Sequence, residues 1–163
     1  MTAEHHVGVS DVLAYVAAGV VGLWGVAHAL PTARVVHGFS DTSRDNRLVI
    51  TQEWIAEAMT MWFIAAVVVI AAVLGGSHHA FADWVYRASA VMLVAVAVLT
   101  AVTGARTPVI FFKICPVLLC ATAALLLTAS WVQVDQSGCE FRAIPYTRSD
   151  RIRTPIPTFS YTR

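Results

Sequence analysis

Charge is what this chain has least of. Acidic and basic residues fill only 13% of its 163 positions, and ten acids against eleven bases leave a formal net charge of +1. A soluble domain carries about a quarter charged residues. A nucleic-acid surface needs a basic excess to neutralise phosphates, so no nucleic acid is expected as a partner. Cysteine is scarce as well, with only Cys115, Cys120 and Cys139. The missing CxxC pair argues against the four-helix quinone-linked thiol oxidoreductases. Cys115 and Cys120 lie five apart, which turns them about 140° away from each other on a helix. Three unpaired thiols are expected.

Other signals are missing too. The opening "MTAEHHVGVSD" has no Lys or Arg ahead of the first apolar run. A cleavable signal peptide needs a basic start, so this run is expected to be a retained helix. There is no GxSxG, no glycine-rich phosphate loop and no internal repeat. There is no HxxxH, and no ExxH of the kind that holds di-iron in helix bundles. Neither metal nor cofactor is expected.

Hydrocarbon is abundant: 58% of residues are hydrophobic and the mean hydropathy is +0.68. A membrane-crossing helix needs roughly 20 consecutive apolar residues. Four stretches approach that length, at about Val12–Leu30, Trp54–Leu74, Trp84–Thr103 and Pro108–Trp131. Ser10 or Asp11 suits the first N-cap, and Pro31 ends that run. Gly75 and Gly76 stop the second, which begins in water near Asn46. Gly104 stops the third. Pro108 suits a first helical turn, and Pro116 is expected to kink the fourth.

The connection over residues 31–48 is long and polar, whereas "GGSHHAFAD" and "GARTP" are short. Short links make neighbours antiparallel. The expected fold is therefore all-α: an integral, multi-pass up-down four-helix bundle over residues 1–131. Gly19, Gly22, Gly25 and many alanines permit close helix contact. Residues 132–163 hold three prolines and five arginines without helical period, and are expected to form an extended tail. In/out orientation is nearly a tie by the distribution of Arg and Lys near the spans.

This topology sorts the polar residues. His28, His37, Asp41, Arg44, Asp45, Arg47, Glu53, Glu57, Arg106 and Lys113 fall at one face. His78, His79, Asp83, Arg87 and the tail fall at the other. A bis-histidine haem needs two imidazoles at matching depth, which this arrangement does not offer.

The stretch "TQEWIAEAMTMWF" (51–63) carries Glu53 and Glu57 on one helical stripe with Thr60. An acid at mid-membrane costs about 2.5–3.5 kcal/mol, and less near the surface. Glu57, the deeper, is expected to face the interior and to find His28 or Lys113, both at comparable depth. An interfacial girdle is the competing reading, because Trp54 and Trp62 sit where aromatic belts occur. A carboxylic acid in a low-dielectric pocket can donate a proton, and tryptophan faces stabilise developing carbocations.

The combination suits an isomerase or cyclase acting on a terpenoid or sterol. In that reading Glu57, Glu53 and His28 are catalytic, and Trp24, Trp54, Trp62, Thr60 and Lys113 line the substrate. The segment "IAEAMTMWF" resembles the second-helix region of the emopamil-binding-protein superfamily of membrane isomerases, where an acid precedes an aromatic-rich run. The likeness is confined to this stretch. Glu53 stands where that family has a histidine one turn before the acid, and no residue role is carried over. The other reading is a non-catalytic subunit or assembly factor of a membrane complex. Its tail, with Phe141, Tyr146, Phe159 and Tyr161, would bind a membrane-protein partner.

Overall fold

The computed structural model describes residues 8–39, 42–74 and 79–142. The described residues are helical, without a strand: α1 Val9–Ala29, α2 Thr32–His37, α3 Arg44–Leu74, α4 His79–Val102 and α5 Ile110–Arg142, with a 3-10 turn at Gly104–Arg106. Four segments are long and apolar enough to cross a membrane, at Val9–Ala29, Arg44–Leu74, Ala80–Arg106 and Ile110–Val132. The shortest has 21 residues, and at 1.5 Å per residue it reaches about 31 Å, a typical hydrocarbon thickness.

The boundaries differ from expectation in ways that have physical causes. The N-cap of α1 is Gly8, not Ser10 or Asp11. Asp11 instead reaches back to accept the Gly8 backbone N–H at 3.0 Å, which satisfies a donor at the helix start. Ser10 is buried and donates to the Ala129 carbonyl at 2.9 Å. The link after α1 is not wholly irregular, because α2 forms within it. Pro108 precedes α5, which begins at Ile110, and Pro116 lies inside α5 without ending it. Residues 132–142 continue α5 rather than starting an extended tail. The remainder of the expected tail, 143–163, lies outside the described residues, as do His5, His6 and His78.

Helix α1 packs against α3 and α5, and α4 packs against the same two. The buried face of α1 reads Ala14, Ala17, Ala18, Val21, Gly25 and His28, three or four residues apart. That is one face of a helix, and it is built almost wholly from small residues. Opposite it on α3 lie Ala58, Met61, Ile64, Val68 and Ala71. Bulky apolar side chains point outward: Leu23, Leu30, Val117, Trp84 and Trp131 are exposed. Threonine hydroxyls inside the helices are satisfied locally. Thr51, Thr60, Thr100, Thr122 and Thr128 each donate to the carbonyl four residues back. This matters where no water is available to take the bond.

Two glycines of α1 are not equivalent. A Cβ at Gly25 would lie 2.7 Å from Trp62 Nε1 and 3.2 Å from the Ala58 carbonyl oxygen, whereas a Cβ at Gly19 would meet nothing within 4 Å. Gly25→Val is expected to part α1 from α3 and to destabilise by about 1–3 kcal/mol. Gly19→Ala should be neutral or stabilising by up to about 1 kcal/mol through helix propensity. Thermal unfolding in detergent checks both.

Candidate functional site

The acid at the start of the apolar part of α3 meets the imidazole at the end of α1. Glu57 Oε2 lies 3.3 Å from His28 Nε2. His28 is buried at 8% exposure, and Glu57 keeps 32%. His28 Nε2 has no hydrogen-bond partner among the described residues, so this is a contact at ion-pair distance and not an aligned hydrogen bond. With a protonated imidazole the contact becomes an ion pair.

Trp54 holds the imidazole in place from two sides. Its ring stacks on His28 with centroids 4.2 Å apart and planes 13° off parallel. Its indole Nε1 donates to the His28 carbonyl at 2.7 Å. That carbonyl belongs to the last turn of α1, where helix geometry leaves acceptors without intrahelical donors. One side chain thus caps the helix and packs its last histidine. Phe112 of α5 meets Trp54 edge-on at 5.5 Å and 84°. A Cβ at Gly104 would lie 2.8 Å from the Phe112 ring, so the turn before α5 closes tightly over that phenyl group.

Two further tryptophans join helices. Trp24 Nε1 donates to Cys115 Sγ at 3.3 Å, linking α1 to α5. Trp62 Nε1 donates to the Gly22 carbonyl at 3.2 Å, and its ring covers Gly25. Cys115 is buried and Cys120 exposed, as their angular separation implies, and both are free. The side chain of Cys139 lies outside what is described.

On its other side Glu57 lines a cavity of about 70 Å³ between α3, α4 and α5. Thr60 and Met61 follow along α3, while Leu93 and Val96 of α4 and Leu119 of α5 close it. The Thr60 hydroxyl is spent on the Ala56 carbonyl. The carboxylate therefore stands between an imidazole and a small, almost wholly apolar space.

The other expected residues fall elsewhere. Lys113 is exposed, and no ion pair joins it to Glu57 among the described residues. Glu53 is exposed one turn before Glu57. Trp24, Trp54 and Trp62 serve helix contacts and do not line the cavity. Sequence reasoning named Glu57 and Thr60 on the cavity wall but passed over Phe112, the role of Cys115, and the part of the wall that α4 and α5 supply. Phe112, Cys115 and Leu119 share the inward stripe of α5, which is the one signal that could have pointed to them.

At the other face Arg87 lies 3.8 Å from Asp83 and donates to Ser130 at 2.8 Å. Among the described residues no three His, Cys, Asp or Glu side chains gather as a metal site would need. Compared with family models, with curated proteins and with solved structures, the chain shows no match.

The two roles of Trp54 can be separated. Trp54→Phe keeps an aromatic face on His28 but loses the donor to its carbonyl, and should cost about 1 kcal/mol. Trp54→Ala loses both and should cost about 3 kcal/mol or more. Lys113→Gln should leave stability unchanged within about 0.5 kcal/mol. Thermal denaturation of the purified variants gives the order.

Proposed function

We propose that this chain is a multi-pass integral membrane protein whose four apolar helices cross the bilayer as an up-down bundle, and that Glu57 and His28 form its acid–base centre. The reaction class is proton-driven isomerisation or cyclisation of a lipid-like molecule. The observation that carries this reading is the position of Glu57, 3.3 Å from an imidazole on one side and facing an apolar cavity on the other. Outward-facing Leu, Val and Trp side chains support an apolar solvent around the bundle, since soluble proteins rarely expose so much contiguous hydrocarbon. Pairings of Ser10 with Ala129 and of Trp24 with Cys115 support opposite directions for α1 and α5. Pairings of Gly22 with Trp62 and of His28 with Trp54 do the same for α1 and α3.

The chemistry follows from the geometry. A carboxylic acid facing hydrocarbon donates its proton to a double bond or an epoxide oxygen. The carboxylate left behind is stabilised by a protonated His28 at ion-pair distance. The Glu57 carboxylate then takes a proton from the carbon next to the cationic centre, which forms the new double bond and restores the acid, while the protonated His28 stays beside it as the counter-charge. General acid–base catalysis of this kind contributes about 10²–10⁴-fold.

A second reading, a subunit or assembly factor of a membrane complex, is favoured by the cavity's size. Small-molecule sites usually measure about 300–1,000 Å³, and this one measures about 70 Å³. An open apolar groove between α1 and α3, lined by Ala18, Gly19, Ala65 and Ala66, offers the small-residue face on which membrane helices pack closely.

Two measurements test these readings. With Ser43→Cys and Ser137→Cys, a membrane-impermeant thiol reagent should label the two sites from opposite sides of sealed vesicles. Labelling from the same side would overturn the up-down bundle. Purification in native lipid followed by mass spectrometry should retain a terpenoid or other lipid-like molecule. Turnover of that molecule should fall at least about 100-fold in Glu57→Gln and far less in Glu53→Gln. A stoichiometric protein partner, with no retained small molecule and a Glu57→Gln variant of unchanged behaviour, would overturn the enzyme reading in favour of the subunit.

A further inference from the structure

We infer that the cavity beside Glu57 is a seat for one alkyl chain of a membrane lipid, entering sideways between α3 and α4. The inference rests on the membrane reading above, and it narrows the molecule on which Glu57 acts to one that is acyclic at the carbon presented to the acid.

Three features lead to it. The first is width. A cavity of about 150 Å³ admits a benzene ring. This cavity has about half that volume, at roughly 70 Å³. It accepts a stretch of chain one carbon wide and rejects the fused rings of a sterol.

The second is chemistry. A buried water needs two to four polar partners. The cavity offers the Glu57 carboxylate at one end, and its remaining hydroxyl, on Thr60, already donates to Ala56. Beyond that end the wall is Met61, Leu93, Val96 and Leu119. An alkyl chain fills such a space without leaving a polar group unpaired.

The third is access. Of the four seams between long helices, that of α3 with α4 has the slightest contact. The cavity lies in this seam, and Met92 at its rim remains 45% exposed. Methionine is unbranched and flexible, suited to yielding to a chain and closing behind it. The exposed faces of the same two helices carry Met59, Phe63 and Val91, so the seam opens on an apolar surface.

The test uses the full chain in vesicles of phosphatidylcholine bearing a mid-chain diazirine on one acyl chain. After photolysis, modified residues are located by peptide mass spectrometry. Leu23 and Val117, exposed on the outer surface, should label and serve as the positive control. Met61 and Leu93, only 2% and 1% exposed, should also label, because the chain reaches them inside the cavity. Val68 and Leu126, equally buried but away from the cavity, should not label.

Val96→Phe fills the space and should bring labelling of Met61 and Leu93 down to the level of Val68 and Leu126. Met92→Trp closes the rim without filling the interior. It should do the same, which keeps the test decisive if the Phe variant folds poorly. Labelling of Met61 and Leu93 no higher than that of Val68 and Leu126, in a protein whose Leu23 labels, overturns the inference. So does labelling that both variants leave unchanged. Glu57→Gln should retain labelling whether or not Glu57 donates a proton, so loss of turnover in that variant bears on the acid–base reading alone.

Discussion

Alanine and glycine at the helix contacts set the distance between backbones, and the rest of the bundle is arranged within that distance. Ala14, Ala17 and Ala18 on α1, Ala58 and Ala71 on α3, Ala82, Ala90 and Ala97 on α4, and Ala123 and Ala129 on α5 are all buried. Many bulky residues, Leu23, Val117 and Trp84 among them, are turned outward. In water this pattern would forfeit most of the hydrophobic driving force, because the large side chains would stay wet. In lipid, where leucine gains nothing by leaving the solvent, close backbone approach and dispersion become the main source of cohesion. The same closeness lets indoles reach main-chain carbonyls on a neighbouring helix, as Trp54 reaches His28 and Trp62 reaches Gly22.

Close packing also dictates where polar groups can go. Threonine hydroxyls fold back onto their own helix. Longer polar groups need a partner from another helix, and only the ends of the bundle have space for one. His28 with Glu57 occupies one end, and Arg87 with Asp83 and Ser130 the other. Between them the core is nearly pure hydrocarbon. Removing one member of a buried pair strands its partner. This is why the proposal for Glu57 turns on its two environments together, and not on its charge alone.

Much of the helical architecture was legible in the sequence, because hydropathy and length identify a span whatever the tertiary contacts are. Pro31 marked the end of α1 because its ring removes a backbone donor, whereas the stop expected at Gly75 and Gly76 lies outside the described residues. The extension of α5 to Arg142 was not legible. The change of composition after Trp131 looked like an end, but adding residues to an existing helix is cheap compared with starting one. The short α2 was hidden for the opposite reason, since six residues carry too little periodicity to stand out from a loop.

The site was legible only in depth. Depth along the helices offered Glu57 two partners, His28 and Lys113, and angle around the helices chooses between them. The inward stripe of α5 runs through Cys115, Leu119, Thr122 and Leu126. Lys113 stands two residues before Cys115, a rotation of about 200°, which carries it to the far side. His28 continues the stripe of Val21 and Gly25 and so faces the core. Glu53 shares the stripe of Glu57 yet is exposed: α1 stops at Ala29, and the short α2 that follows it against α3 leaves this position uncovered. Which of two acids on one stripe becomes an interior group is thus decided by the length of the neighbouring helix, a property of α1 and its Pro31 more than of α3 itself.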